Sequence, residues 1–264
     1  MTTVEITYLG GPTAVIELAG LRLLTDPTFD APGVHPVGSR ELVKTAGPAL
    51  PPTAVGPVDA VLLSHDQHPD NLDTSGRAYL AQIPLTLSTP AAASRLGAPV
   101  RALSPWQHTD LPLPGGRTLR VTAAPALHGP AGCEPLVGEV TGFLLSGDDL
   151  PKIYVSGDNA SLDLVGEIAG REGPFDIAVL FAGAARTPLV PDAALTLTSE
   201  QAAQAARILG ARHVVPLHFE HWAHFTEDGP ALTKAFADAG LTDRLHLLSP
   251  GASVRLQGRR TTRP

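Results

Sequence analysis

Ser64-His65-Asp66-Gln67-His68-Pro69-Asp70-Asn71-Leu72-Asp73 is a polar stretch that directly follows the apolar run Ala60-Val61-Leu62-Leu63. It holds two imidazoles and three carboxylates within ten residues. A turn at the end of a buried strand brings such nitrogen and oxygen atoms together, and these are the donor atoms that bind divalent metals in proteins. The stretch therefore predicts a metal-binding turn at the edge of a β-sheet.

Three later segments repeat the pattern of an apolar strand that ends in a metal-ligating side chain. They are Ala126-Leu127-His128-Gly129-Pro130, Val155-Ser156-Gly157-Asp158-Asn159 and Val214-Val215-Pro216-Leu217-His218. A single histidine at a strand end is usually structural, because buried imidazoles find partners readily. Asp158 has an alternative role as the N-cap of a following helix. Four such segments together nevertheless predict a metal centre at the edge of a β-sheet core.

Other polar residues near these segments have weaker claims. His218 ends its strand directly and is the expected ligand, whereas His221 and His224 are expected to support the ligands or to lie at the surface. Asp26 and Asp73 are expected to accept the distal N–H of a ligating histidine, which would fix its tautomer and raise its basicity.

The composition limits the function classes. The chain has 264 residues, of which 43% are hydrophobic and 17% charged, as in a globular protein with a substantial core. A net charge of −7 and the lack of a Lys/Arg cluster argue against a nucleic-acid partner and favour a small-molecule substrate. Cys133 is the only cysteine, so a disulfide framework and a thiolate cluster are excluded.

The sequence shows neither a signal peptide nor a membrane span. Met1-Thr2-Thr3 leads straight into an alternating segment, and no apolar run approaches the ~20 residues that span a bilayer. We therefore expect a cytoplasmic protein without a transmembrane segment. Association with a second copy of the chain is left open.

The periodicity predicts a strand-rich beginning and an alternation of helices and strands near the end. Strands are predicted at 4–9, 13–18, 21–25, 59–63, 85–88, 119–123, 140–145, 153–155, 177–181 and 213–217, with a final hairpin at 245–248 and 253–256. Helices are predicted near 70–80, 91–96, 161–169, 199–209 and 229–239. Residues 27–57 lack periodicity and are expected to form a binding loop or a surface segment. The pattern predicts an α+β fold of one domain over 1–264, with two sheets face to face and helices outside.

With these segments, the sequence resembles the metallo-β-lactamase-fold hydrolases, in particular the ascorbate-phosphate lactonase-like and N-acyl-phosphatidylethanolamine phospholipase D-like proteins. The resemblance covers nearly the whole chain. Its motifs, besides the turn, are Tyr8-Leu9-Gly10-Gly11, Leu23-Leu24-Thr25-Asp26-Pro27, Pro125-Ala126-Leu127-His128-Gly129-Pro130, Tyr154-Val155-Ser156-Gly157-Asp158 and Leu248-Ser249-Pro250-Gly251. It implies a four-layer αββα sandwich with metals at one edge of the two sheets.

The turn departs from that family's usual His-x-His-x-Asp-His pattern in two ways. One extra residue lies between the first two ligand positions, so that either His65 or Asp66 matches the first of them. We prefer His65, because imidazole suits zinc well. Asn71 stands where the last histidine would be, and its amide oxygen is a weaker ligand. We therefore expect the second metal to bind less tightly or not at all.

The resemblance implies a ligand set and a chemistry. The first metal would be held by His65, His68 and His128, and the second by Asp70 and His218, with Asp158 shared. The expected cofactor is one or two divalent ions per chain, zinc first, with manganese and iron as alternatives.

The expected activity is hydrolysis of a small ester, lactone or phosphodiester by a metal-activated water, which Asp70 orients or deprotonates. A nuclease is disfavoured by the acidic charge. A degenerate fold with one metal or none, which serves as a binding or structural module, is the alternative that Asn71 keeps open.

Overall fold

The strands and helices of the chain are given by a computed structural model that describes residues 2–259. The strands are β1 (Thr3–Gly10), β2 (Thr13–Leu18), β3 (Leu21–Thr25), β4 (Gly33–Val37), β5 (Arg40–Lys44), β6 (Ala60–Leu62), β7 (Thr86–Ser88), β8 (Val100–Ala102), β9 (His108–Pro112), β10 (Thr118–Pro125), β11 (Thr141–Ser146), β12 (Ile153–Val155), β13 (Ile177–Phe181), β14 (His213–Leu217) and β15 (Ser253–Gln257). The α-helices are α1 (Thr74–Leu80), α2 (Pro90–Leu96), α3 (Glu134–Val137), α4 (Leu162–Glu172), α5 (Ser199–Ile208) and α6 (Gly229–Asp238). Within this range, no helix is long and apolar enough to cross a membrane.

Two mixed sheets form the centre of the molecule. The first has seven strands in the order β15-β1-β2-β3-β6-β7-β8, and the second has six in the order β14-β13-β12-β11-β10-β9. In each sheet the antiparallel meander changes to parallel pairing, at β3–β6, which the hairpin β4–β5 connects, and at β12–β13, which α4 connects. This combination matches the expected α+β architecture.

The alternation of side chains along the first sheet explains why the layers stack as they do. Ile16 and Leu23 pack into the main core between the sheets, which also holds Val179 of the second sheet. Their neighbours Val15 and Leu24 point to the opposite face, where they pack beneath α1 in a separate cluster. A strand presents successive side chains to opposite faces, so both faces of this sheet are covered. With α4, α5 and α6 contributing to the main core, the result is the predicted αββα sandwich.

Two parts of the predicted layout are wrong. Residues 33–44 form the hairpin β4–β5, a separate two-stranded sheet within the segment expected to be irregular. Near the carboxyl end, residues 245–248 are not a strand, and β15 pairs instead with β1 in antiparallel register, from Thr3 opposite Gln257 to Thr7 opposite Ser253. The first error concerns a local hairpin in a segment without periodicity, and the second concerns a pairing between the two ends of the fold.

Candidate metal centre

Four chain segments that follow strands of the two sheets meet at one edge of the sandwich. They are the turn 64–73 after β6, His128 after β10, Asp158 after β12 and His218 after β14. The structure brings the six predicted ligand side chains together in two adjacent sets, one of histidines and one of two carboxylates and a histidine. The side chains of His65, Asp158 and His218 are completely buried.

The first set consists of His65, His68 and His128. His65 Nε2 lies 3.0 Å from His68 Nδ1, and His128 Nε2 lies 3.3 Å from the same Nδ1 atom. The three rings are tilted against one another with centroids 4.9–5.2 Å apart. The rings therefore do not stack, and one nitrogen atom of each points toward the others.

The second set consists of Asp70, Asp158 and His218. His218 Nε2 lies 3.4 Å from Asp70 Oδ2 and 3.5 Å from Asp158 Oδ1. The other oxygen of Asp158, Oδ2, lies 3.7 Å from His128 Nε2 of the first set. Asp158 therefore faces both sets with one oxygen each.

These distances fit metal coordination. Ligand atoms at 2.0–2.1 Å from a tetrahedral metal are about 3.3 Å apart, which is close to the separations within both sets. Among the described residues, Asp70 Oδ1, Asp158 Oδ2 and both nitrogens of His218 are buried without a hydrogen-bond partner. Because an orphaned buried polar atom costs free energy, such a concentration of them fits a site that can hold a cation.

The protonation of the histidines supports the same interpretation. Burial lowers the pKa of His68 to about 4, with His128 acting in the same direction. Burial likewise holds the pKa of His65 well below its usual value. Burial alone would lower the pKa of His218, but the carboxylates of Asp158 and Asp70 raise it to about 10. Burial thus favours the neutral imidazole at His65 and His68, which is the form of histidine that binds a metal, whereas two carboxylates favour positive charge at His218.

Two of the histidines are oriented by contacts on their distal nitrogens. His128 Nδ1 lies 2.9 Å from the carbonyl oxygen of Leu195. His65 Nδ1 lies 3.0 Å from Ser64 Oγ, which in turn donates to Asp26 Oδ2 at 2.7 Å. Such contacts fix the tautomer that leaves Nε2 free for a metal. Asp26 therefore supports His65 through a serine rather than directly, and burial raises the pKa of its carboxyl to about 7 although Ser64 donates to it.

The extra residue in the turn is accommodated without loss of a histidine. Asp66 points away from both ligand sets and forms a bidentate ion pair with the guanidinium of Arg95 on α2. His65 rather than Asp66 thus faces His68, in agreement with the preferred reading of the turn. Gln67 provides the added length, and His68 presents Nδ1 rather than Nε2 to its neighbours.

Asp73 does not support a histidine, and that expectation is wrong. Its Oδ1 accepts from the backbone N–H of Gly76 and so caps α1. Its Oδ2 accepts from the backbone N–H of Asp30 and from Lys44 Nζ. Asp158 is not a helix N-cap either, because Ser161 caps α4.

The backbone is bent where the second set is formed. Gly157 has a φ of +54°, and a Cβ there would lie 2.5 Å from the carbonyl oxygen of Thr141 and 2.8 Å from Ser64 Cβ. His218 itself adopts a φ of +58° as β14 ends, while its N–H donates to the carbonyl of Gly11 at 2.7 Å. Left-handed backbone at a non-glycine residue costs free energy and is concentrated at functional sites.

A small pocket opens over the two ligand sets. His68, Asp70, His128 and His224 reach its floor. Its other walls include Val37, Arg40, Leu42, Val137, Arg186 and Leu195. Arg40 belongs to the hairpin β4–β5, and its Nη1 donates to Thr187 Oγ1 across the pocket at 2.6 Å. No sequence pattern indicated Arg40, because it lies in a segment without periodicity.

A fold of two mixed sheets with clustered histidines and aspartates at one edge defines the metallo-β-lactamase class. The sequence matches the Beta-lactamase superfamily domain over residues 21–219, and the chain belongs to this family.

Relatives and solved structures agree with this assignment. The chain is 26% identical over 265 residues to the UPF0173 metal-dependent hydrolase of Rubrobacter xylanophilus, and the alignment covers 95% of this chain and 96% of that protein. It is 26% identical over 258 residues to the UPF0173 metal-dependent hydrolase of Pyrobaculum calidifontis, and that alignment covers 96% of this chain and 100% of the other. The isothiocyanate hydrolase from Delia radicum gut bacteria superposes with a TM-score of 0.78 at 21% identity, over 95% of this chain and 98% of that one. A possible metal-dependent hydrolase from Veillonella parvula superposes with a TM-score of 0.79 at 15% sequence identity, over 95% of this chain and 98% of that one.

Proposed function

We propose that the chain is a metal-dependent hydrolase with a two-metal centre. The observation that carries the proposal is the pair of buried ligand sets joined by Asp158, with ligand atoms 3.0–3.7 Å apart. The names of the relatives, metal-dependent hydrolases that align with nearly the whole chain, support it independently.

In this proposal His65, His68 and His128 hold one metal, Asp70 and His218 hold the other, and Asp158 contacts both. Zinc is the proposed metal, with manganese and iron as alternatives, because nitrogen and oxygen donors suit all three. When bound, divalent ions of this kind acidify water and polarise the oxygen of an ester or phosphate group.

Asp70 is the proposed acid–base residue. Its Oδ2 is engaged by His218 and His224, whereas Oδ1 has no hydrogen-bond partner among the described residues. Burial opposes ionisation of Asp70, but the His224 and His218 imidazoles hold its pKa well below the usual value. An ionised oxygen with a free lone pair is suited to orient a water molecule and to accept its proton.

The pocket indicates the kind of substrate. Its walls combine the Arg40 guanidinium with the apolar side chains of Val37 and Leu42. We infer a small ester, lactone or phosphodiester that carries a negative charge near the guanidinium and an apolar part against Val37 and Leu42.

Metal analysis is the first test. The protein is purified without a metal-chelating column, reconstituted, and its metal content measured; we expect about two ions per chain. His128→Ala should lose the metal of the first site. His213→Ala is the matched control, because His213 is paired with His246 away from the ligand sets. Absence of metal after reconstitution would overturn the hydrolase and favour the binding-module alternative.

The substrate class is tested with matched compounds. The reconstituted enzyme is assayed on esters, lactones and phosphodiesters, each with and without an additional anionic group. Arg40→Ala should raise KM for the anionic members more than for the neutral ones, and Arg40→Lys should restore part of the difference. Equal effects on charged and neutral substrates would refute the role of Arg40.

A further inference from the structure

The second ligand set has a fourth protein side chain within reach, which the sequence did not identify as a ligand. His224 lies in the loop after β14, and its Nε2 is 3.0 Å from Asp70 Oδ2. His218 Nε2 approaches the same oxygen at 3.4 Å. Two imidazole nitrogens thus converge on one carboxylate oxygen, at separations like those within the histidine set.

Asn71 occupies the position in the turn where the family pattern has a histidine, but it is held in another role. Its Nδ2 donates to Asp26 Oδ2 at 3.1 Å and to Asp158 Oδ1 at 3.0 Å. If the amide were turned around, its oxygen would face two carboxylate oxygens and both hydrogen bonds would be lost. Asn71 therefore presents a donor, not a ligand atom, toward the second set.

The surroundings of His224 fix its ring in place. The Phe225 ring packs against both imidazoles, with its centroid 4.6 Å from that of His218 and 4.6 Å from that of His224. The backbone N–H of Arg186 donates to the carbonyl of His224 at 3.1 Å. The side chain of His224 is only 15% exposed, and among the described residues its Nδ1 has no hydrogen-bond partner. A half-buried imidazole held this firmly beside a carboxylate is well placed to bind the same ion.

We propose that His224 is the fourth protein ligand of the second metal and replaces the histidine that Asn71 displaces from the turn. The proposal rests on the two-metal hydrolase proposed above and reverses the expectation that the second site is weak. The imidazole that the turn lacks is supplied from a different strand end, six residues after His218. Asn71 then serves as a positioning residue that keeps Asp26 and Asp158 together.

Metal titration distinguishes this role from a purely hydrogen-bonding one. Metal-free wild type, His224→Asn, Asn71→Ala and His221→Asn are titrated with Zn²⁺ against a competing chelator, and with Co²⁺ followed by its visible absorption. His221→Asn is the matched control, because His221 lies in the same loop, its φ of +74° tolerates asparagine, and its Nε2 lies 3.9 Å from Glu220 Oε1 rather than beside a carboxylate of the second set. Circular dichroism and thermal melting of each metal-free variant show whether it is folded, and His224→Gln replaces His224→Asn if the latter is not.

We expect wild type and His221→Asn to bind two ions per chain. His224→Asn should keep the first and bind the second at least about tenfold more weakly, with a changed Co²⁺ spectrum. Asn71→Ala should still bind two. The inference is overturned if His224→Asn binds both ions as wild type does, or if Asn71→Ala loses the second ion instead. Wild type that binds one ion overturns it as well but leaves a one-metal hydrolase, whereas wild type that binds none overturns the proposed function itself.

Discussion

The ion pair between Lys44 and Asp73 joins the hairpin β4–β5 to the turn 64–73. Lys44 Nζ lies 2.9 Å from Asp73 Oδ2, and the two side chains are 1% and 0% exposed. Lys44 also lies over the Trp222 ring, 5.5 Å from its centroid, and the backbone of the hairpin is hydrogen-bonded to residues 221–223. The base of the hairpin is therefore clamped between α1 and the loop after β14.

Replacement of Lys44 by methionine removes the charge and keeps most of the packing of the stem. The carboxylate of Asp73 stays buried, now held only by the N–H groups of Gly76 and Asp30. Loss of one partner of a buried pair costs about 3–5 kcal/mol, and these two remaining donors place the expected cost at the lower end, about 3 kcal/mol. For a domain of this size the corresponding fall in melting temperature is about 6–12 °C.

Urea unfolding of Lys44→Met, Asp73→Asn and the double variant measures the pair directly. Asp73→Asn keeps an oxygen for the Gly76 N–H, so the double variant has no buried unpaired charge. We expect it to be less destabilised than the sum of the single variants by about 1.5 kcal/mol or more. Lys234→Met removes an exposed lysine that pairs with Asp238 and should leave stability unchanged within error.

The reasoning would be refuted by additive effects in the double variant. It would also fail if Lys44→Met were as stable as wild type. Either result would mean that water reaches Asp73 and that the hairpin is held by its backbone contacts alone.

Three further predictions concern stability. Burial raises the pKa of the Asp30 carboxyl, but the N–H groups of Ser75 and Thr74 donate to it and lower that pKa below its usual value. The ionised carboxylate therefore stabilises the fold above the unfolded pKa of about 3.9, and this contribution is lost as the pH falls through the lower folded pKa. Asp30→Asn should thus lose less stability than wild type in thermal melts between about pH 5 and 2. Gly76→Ala should destabilise severely or prevent folding, because its Cβ would lie 1.8 Å from the carbonyl oxygen of Pro27, and a soluble variant with an unchanged melting temperature would contradict the structure. Removal of metal by a chelator should lower the unfolding free energy by about 4 kcal/mol relative to protein at 1,000 Kd of free Zn²⁺, as measured by calorimetry; equal stability in both states would contradict tight binding to the folded chain.

The places of the candidate ligands in the fold could be predicted because they depend on local signals. Alternating residues predicted β1, β2 and β3 with small errors, and a buried strand that ends in His or Asp directs that side chain to the sheet edge. His128, Asp158 and His218 all follow this rule. The preference for His65 over Asp66 rested on ligand chemistry, and the contact between Asp66 and Arg95 on α2 gives it a structural reason.

The rest depended on contacts between distant residues. The hairpin β4–β5 is exposed and rich in glycine and proline, so its sequence lacks a buried face, and its anchors are Asp73 and the loop after β14. His224 had no strand before it to indicate its direction, and its place beside Asp70 follows only from the fold. Asp73 lies near two histidines in sequence, but besides the local cap on Gly76 its partners are Asp30 and Lys44 of a distant segment.

The pairing of β15 with β1 has a consequence for the synthesis of the chain. The outer edge of β1 is covered by a strand that begins at Ser253, 243 residues after Gly10. At translation rates of 5–20 residues per second, about 12–50 s pass between the synthesis of β1 and the synthesis of β15. An uncovered edge of this kind is a template for pairing with other chains, so the nascent protein is prone to aggregation during this interval, after the turn 64–73 has already emerged.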